Sequence, residues 1–333
     1  MGPNGAGKTS LLEAVYVLAT TRSFRTSRIA ECRRHGTESF DLTGRIEGET
    51  RVDLGVGWGE EGRRRALNGR DSSLAEHLEV LPVVSWSAAD GEVVEGAPAG
   101  RRRLLDRGVV SLQPRSLETL SRYRRALDQK RRLLARGEGT LRPWNELLAS
   151  GGAEIRRLRS GYVERLSGAL TAVLAETGLE LPAVSLDYRP SPATESGSED
   201  EILEALERAE RHERQRRTPL AGPQRDELEI GWAGYEARRV ASGGERKLLG
   251  MAIAAARGRV LAASGREPIY LLDDLDAELD RQRLEAVWGL FRGCGQALVS
   301  SNREEVWQGL ESRRRWRVDG GRPRLETDAP GTS

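Results

Sequence analysis

The chain has 333 residues, 38% hydrophobic and 31% charged, with 53 Lys and Arg against 51 Asp and Glu for a formal net charge of +2. That size allows one large domain or two lobes with substantial cores, and no apolar run reaches the ~18 residues of a membrane span. The 2 cysteines, Cys32 and Cys294, show neither disulfide-framework nor zinc spacing, which predicts a reducing, cytoplasmic setting.

Residues Gly2-Pro3-Asn4-Gly5-Ala6-Gly7-Lys8-Thr9 match the phosphate-loop pattern G-x-x-x-x-G-K-[ST]. Its glycines let backbone N–H groups turn around phosphate oxygens, Lys8 supplies a point charge for the β- and γ-phosphates, and the Thr9 hydroxyl is placed for Mg²⁺. Residues 10–19 are apolar and free of Gly and Pro, so a buried helix is predicted with its N-terminal dipole toward the phosphates. A strand normally precedes this motif; here only Met1 does. A polar stretch over 20–26 leads to period-two alternation at Phe40–Ile46 and 52–58, read as an antiparallel hairpin with Gly48 and Gly59 as punctuation. Residues 80–86 read as a short core strand with Pro82 near its start.

The period becomes helical between about 100 and 217. Leu117, Leu120, Leu127 and Leu134, with Tyr123 and Ala126, mark one face of a helix ending near Gly137. A second helix is predicted over 153–177, striped by Ile155, Leu158, Tyr162, Leu166, Leu170, Val173 and Leu174, with Gly178 suited to its C′ position. Residues 190–198 form the clearest loop. Residues 201–217 read as a charged helix with a weak stripe, placed on the surface. No pattern lasts enough heptads for a long coiled coil. Residues 101–165 hold 17 Lys and Arg against 7 Asp and Glu, a net +10 in a chain whose total is +2. Such a block reads as a footprint for a polyanion or as a set of solvated helix faces.

The C-terminal third returns to α/β alternation. Ile269–Leu272 is a predicted buried strand, 282–292 a helix and 297–300 another strand, an order that argues for a parallel unit. Asp273 at the strand's edge can reach Mg²⁺ through water, and Asp274 stands where a second carboxylate could orient an attacking water. Upstream, Ser242-Gly243-Gly244-Glu245 precedes an apolar helix over 247–257; it is either a capped helix start or an anion-facing signature. In Ala277-Glu278-Leu279-Asp280, Asp280 could face a partner subunit or cap the next helix. The fold class is therefore α/β. Residues 1–85 and 218–333 form a nucleotide-binding lobe, and 86–217 an inserted, mainly helical lobe carrying the basic segment.

Together these motifs resemble the ATP-binding-cassette ATPases, in which the signature of one subunit closes over ATP held by the phosphate loop of another. The blocks Gly2 to Tyr16, Arg22-Ser23-Phe24-Arg25-Thr26, Arg102-Arg103-Leu104-Leu105-Asp106, Leu141-Arg142-Pro143-Trp144, Gly222-Pro223-Gln224-Arg225-Asp226 and Tyr270 to Asp280 closely resemble the bacterial RecF family, in the family's order. The resemblance implies an SMC-like head without long arms that binds ATP and Mg²⁺ and hydrolyses ATP slowly as a switch. It implies an ATP-dependent homodimer on duplex DNA near single-strand gap junctions, working with RecO and RecR to load RecA, and no membrane. The carried-over roles are ATP binding for Gly2, Pro3, Asn4, Gly5, Ala6, Gly7, Lys8 and Thr9, Mg²⁺ for Thr9 and Asp273, and water activation for Asp274. Ser242, Gly243 and Gly244 act in trans, and Asp280 sits in a dimer loop. Three positions depart from the family's wording. Ser85-Trp86-Ser87-Ala88-Ala89-Asp90 lacks a Pro-Glu pair, Glu245 replaces a glutamine, and Gln224 replaces a histidine. Family members carry about thirty residues, including the core strand, ahead of the loop, so an upstream extension of the reading frame is expected. Two alternatives stand beside this reading: another cassette ATPase of transporter or SMC type, or an inactive fragment.

Overall fold

A computed structural model describes residues 1–48, 50–178, 181–277, 279–291, 293, 295–310 and 314–326; Glu278, Arg292 and Cys294, which figure in the sequence reading, lie outside them. In chain order the elements are α1 (Lys8–Thr20), β1 (Phe40–Ile46), β2 (Val52–Gly59), β3 (Gly62–Leu67), β4 (Arg70–Asp71), α2 (Leu74–Val80), β5 (Val83–Trp86), α3 (Glu92–Glu95), α4 (Pro98–Leu112), α5 (Ser116–Arg136), α6 (Arg142–Ala175), β6 (Val184–Arg189), α7 (Glu199–Arg216), β7 (Glu227–Trp232), β8 (Tyr235–Glu236), α8 (Ala237–Val240), α9 (Gly243–Ala262), β9 (Ile269–Leu272), α10 (Arg281–Gly289), β10 (Gln296–Val299), β11 (Arg315–Asp319) and β12 (Arg322–Glu326). Two compact units result: Met1–Gly91 with Ala172–Leu179 and Gly250–Ser333, and Glu92–Thr171 with Glu180–Leu249.

In the first unit, α1 begins two residues earlier than the apolar run suggests, because Gly7 in the left-handed region (φ 100°) turns the loop straight into the helix. Leu12, Tyr16 and Ala19 of α1 pack with Leu54, Val83 and Leu271 into one core. The expected hairpin is present, with Phe40 opposite Trp58 and Ile46 opposite Val52. It continues into β3 and β4, which the alternation did not reveal because Arg63-Arg64-Arg65 carries no apolar face. The strand read over 80–86 starts only at Val83. Val80 instead ends α2, whose N-cap Ser73 forms a capping box with Glu76. Strands β10, β9 and β5 form a parallel sheet, Val83 and Gln296 both standing opposite Ile269. The sequence reading left β11 and β12 unassigned; they pair antiparallel across Gly320-Gly321, whose φ values of 53° and 76° are those a tight hairpin turn requires.

In the second unit, α5 ends at Gly137 as expected, with φ 75°. Helix α6 starts at Arg142 rather than 153 and runs 34 residues. Gly151-Gly152 lies inside it as a close-packing point: a Cβ on Gly151 would lie 3.2 Å from the Tyr123 ring. The helix read over 201–217 lies at the surface as expected but carries a narrow buried stripe. Ile202 and Leu206 of α7 are buried with Tyr123, Leu127, Leu148 and Ile155 in one cluster. Only a narrow stripe is needed where three helices converge, so charge on the other faces hid it. The lobe read as mainly helical also carries β6, paired antiparallel with β7. Leu228, Ile230 and Trp232 on β7 alternate inward.

The α5–α7 contact also encloses a charge pair, Lys130 Nζ to Glu213 at 2.7 Å, with both side chains at 0% exposure. Glu213 also accepts a hydrogen bond from the Leu220 N–H at 2.8 Å. Removing one partner strands a buried charge, so Lys130→Ala should lower unfolding free energy by about 3–5 kcal/mol. Denaturant titration is the check, and Lys130→Met with Glu213→Leu should recover part of the loss.

Candidate nucleotide-binding site

The phosphate loop closes on itself through Ala6 N–H to the Pro3 carbonyl at 3.2 Å. Lys8, 8% exposed, donates to the Gly2 carbonyl at 2.7 Å and the Pro3 carbonyl at 3.0 Å. Its ammonium is thus held against the loop by groups that cannot neutralise it. The β11–β12 hairpin braces the other side. Gly321 N–H donates to the Ala6 carbonyl at 2.7 Å and Val318 N–H to the Met1 carbonyl at 2.8 Å.

The parallel sheet delivers the acidic half. Asp273 N–H donates to the Trp86 carbonyl and Ser300 N–H to the Leu272 carbonyl, each at 2.9 Å, extending the ladder past the strand ends. Asp273 Oδ1 then accepts from Thr9 Oγ1 at 3.0 Å and from Ser300 Oγ at 2.6 Å. The expected partners Thr9 and Asp273 therefore meet. Thr9 Oγ1 and Asp273 Oδ1 are adjacent hard oxygen donors, which suits Mg²⁺, an ion that keeps several waters and takes few protein ligands. No group of three or more His, Cys, Asp or Glu able to hold a metal ion occurs among the described residues.

Asp274 is exposed, with φ 47°, and its N–H donates to Ser300 Oγ at 3.0 Å. Although the residue is exposed, partial burial of its carboxyl and then the neighbouring Asp273 charge push its pKa above the ordinary aspartate value, against the opposing pull of Lys8. A carboxylate raised in this way is a better proton acceptor for water.

The sequence reading assigned no role to the residues after β10. Ser300 bridges Asp273 and Asp274, Ser301 Oγ donates to Asp276 at 2.7 Å, and Asn302 Nδ2 donates to Asn4 of the loop at 2.8 Å. Arg303 donates to the Asp276 and Leu279 carbonyls at 2.9 and 3.0 Å. The available signal was a polar Ser-Ser-Asn run at the carboxyl end of a parallel strand, where ligands of α/β sheets bind.

Two predicted features take up their structural roles. Ser242 and Glu245 form a reciprocal cap: the Ser242 N–H donates to Glu245 at 2.6 Å and the Glu245 N–H to Ser242 Oγ at 3.3 Å. The Ser242 hydrogen bonds hold the Glu245 carboxyl below its usual range. Ser242, Gly243 and Gly244 lie in the second unit and are exposed. Asp280, also exposed, caps α10 by accepting from the Arg283 N–H at 2.8 Å.

The RecF/RecN/SMC N-terminal domain family model matches residues 1–318. The DNA replication and repair protein RecF of Moorella thermoacetica is 34% identical over 315 residues, covering 90% of this chain and 82% of its own. That of Streptomyces avermitilis is 32% identical over 340 aligned positions, covering 96% and 91%. Among solved structures, the recombination mediator protein RecF with ATP in the RecFOR pathway aligns with a TM-score of 0.87 at 24% identity, covering 98% of this chain and 90% of that one. An Smc head bound to the C-terminal winged-helix domain of ScpA aligns with a TM-score of 0.54 at 18% identity, covering 98% and 88%. The fold is that of an ABC-type ATPase head, and among the described residues no helix is longer than α6.

A carboxyl whose pKa is raised on folding stabilises the fold fully below the ordinary aspartate range and loses that contribution as pH rises through the raised value. Asp274→Asn should therefore melt above the parent protein at about pH 7, the gap closing as pH falls toward about 4. Thermal melts across that range are the check.

Proposed function

This chain belongs to the RecF family, and we propose that it is an ATP-dependent DNA-binding protein of recombinational repair and replication-fork maintenance. The observation that carries the proposal is the joined set Thr9, Asp273 and Ser300 beside the Lys8-bearing loop. ATP phosphates are held by Gly2 to Thr9, and Asp274 accepts the proton of the attacking water. Mg²⁺, when bound by Thr9 and Asp273, neutralises charge on the β- and γ-phosphates. The exposed Ser242, Gly243 and Gly244 of one subunit complete the site of another, with Asp280 in the dimer contact, so that ATP drives a homodimer. Slow hydrolysis ends the DNA-clamped state.

Duplex DNA near single-strand gaps is the partner, with RecO and RecR as co-mediators and RecA loaded as the downstream result. Not all of the basic segment 101–165 is available for phosphates. Arg101 is ion-paired with Glu227, Lys130 with Glu213, and Arg159 with Asp106 and Asp226. The exposed arginines Arg103, Arg115, Arg122, Arg124, Arg125 and Arg132 supply the sequence-independent attraction.

ATP, and not ADP, should promote dimerisation and duplex binding, read by light scattering and fluorescence anisotropy. Lys8→Ala should abolish both nucleotide-dependent effects; ATP-dependent duplex binding that survives this change would reject the mechanism. With about six phosphate contacts, affinity should fall on the order of 10³-fold between about 50 and 200 mM salt.

A further inference from the structure

Two sequence blocks that the ATP site does not use, 102–106 and 222–226, meet in the second unit. Buried Arg159 joins them, donating to Asp106 at 2.6 Å and to Asp226 at 2.6 Å. Arg102 donates to the Asp226 carbonyl at 2.9 Å. Asp226, 1% exposed, also accepts from Tyr188 and from the Ser191 N–H at 2.7 Å. This network fixes the segment Pro223–Arg225 and with it one wall of a cavity of about 440 Å³.

Three guanidinium groups line that cavity, those of Arg102, Arg131 and Arg225. Arg102 and Arg225 direct hydrogen bonds to backbone carbonyls, those of Asp226 and Pro219, which do not neutralise them, although Glu227 and Asp226 offset part of the Arg102 charge. Arg131 pairs with Asp128 at 2.9 Å, but both side chains are half exposed and water weakens such a pair. The lining carboxylate, Glu227, is already engaged by Arg101 at 2.7 Å. Helix α4 starts at the same cavity, with no acidic residue in its first turn and no side-chain cap, so its positive end adds to the field. Pro98 and Pro219 contribute apolar wall. The space exceeds one phosphate and lies in the range of small-molecule sites; guanidinium forks favour phosphate oxygens.

We propose that this cavity binds a phosphate group carried on a nucleotide, in addition to the phosphate loop, with Arg225 and Arg131 as contacting cations and Arg102 held beside them. The nucleotide is either free or the terminus of a nucleic-acid strand. The second source rests on the DNA reading above and the first does not.

The test uses the full chain with ATP saturating the phosphate loop. A fluorescent single-stranded oligonucleotide bearing a 5′-phosphate is titrated beside its 5′-hydroxyl counterpart, with a deoxynucleoside monophosphate as competitor. Arg225→Ala and Arg131→Ala, both at exposed positions, should each weaken binding of the phosphorylated strand about tenfold and of the hydroxyl strand less. Arg136→Ala, exposed on the same helix but outside the cavity, should change it by no more than about twofold. Displacement by the monophosphate from the parent but not from Arg225→Ala identifies the free nucleotide as a ligand; no displacement identifies the strand terminus. Equal binding by the parent and Arg225→Ala, equal loss in Arg136→Ala, or no binding by the parent overturns the proposal. A parent that fails to bind duplex DNA yet binds the monophosphate through Arg225 removes the DNA reading and leaves this site. Duplex binding retained with phosphate binding insensitive to Arg225 removes this site alone.

Discussion

Thr9 and Asp273 are 264 residues apart in sequence and share a hydrogen bond of 3.0 Å. That contact exists because β5, β9 and β10 run parallel in one register, so their carboxyl ends lie along one edge. Asp273 and Ser300 emerge at that edge, and α1 packs against the sheet through Leu12, Tyr16 and Ala19. A parallel sheet with this edge is a general solution for placing charge and hydroxyl groups around a ligand. Here Ser300 serves three ends at once, as ladder donor, as donor to Asp273 and as acceptor from the Asp274 N–H.

The second unit solves a different problem, the burial of charge. Arg159 is held in its charged state by Asp106 and Asp226. Burial pushes the Asp226 carboxyl upward while the charge of Arg159 pulls it down. Such pairs contribute little net stability against an apolar core but fix one arrangement of the chains that carry them. In this unit they order the segment bearing Arg225 and hold Arg102 beside it. The same burial takes Arg101, Lys130 and Arg159 out of the electrostatic surface, so the local charge excess overstates what a polyanion meets.

Legibility in the sequence followed the strength of the local pattern. Helix α5, strands β1 and β2 and strand β9 have clean periodicity and could be placed within a residue or two. Strand β3 could not, because its three arginines mask the alternation, and the buried stripe of α7 was faint because Ile202 and Leu206 are its only fully buried apolar residues. The first turns of α6, from Arg142 to Gly152, were not read as helix; there the glycine pair serves close approach to Tyr123. Strands β6 and β7 are joined by long-range pairing, which no local window contains.

By itself the sequence picked out the local patterns of the candidate site. A phosphate loop, an apolar strand ending in Asp273 and Asp274, and a serine–glycine cap at Ser242 are local patterns whose residue types carry their roles. Tertiary structure alone decided what completes them. Ser300 and Asn302 became part of the site, the β11–β12 hairpin became its brace, and Arg102, Arg131 and Arg225 came to line one cavity. Each of these rests on contacts between segments far apart in the chain, where registry and burial, and not local composition, set which groups meet.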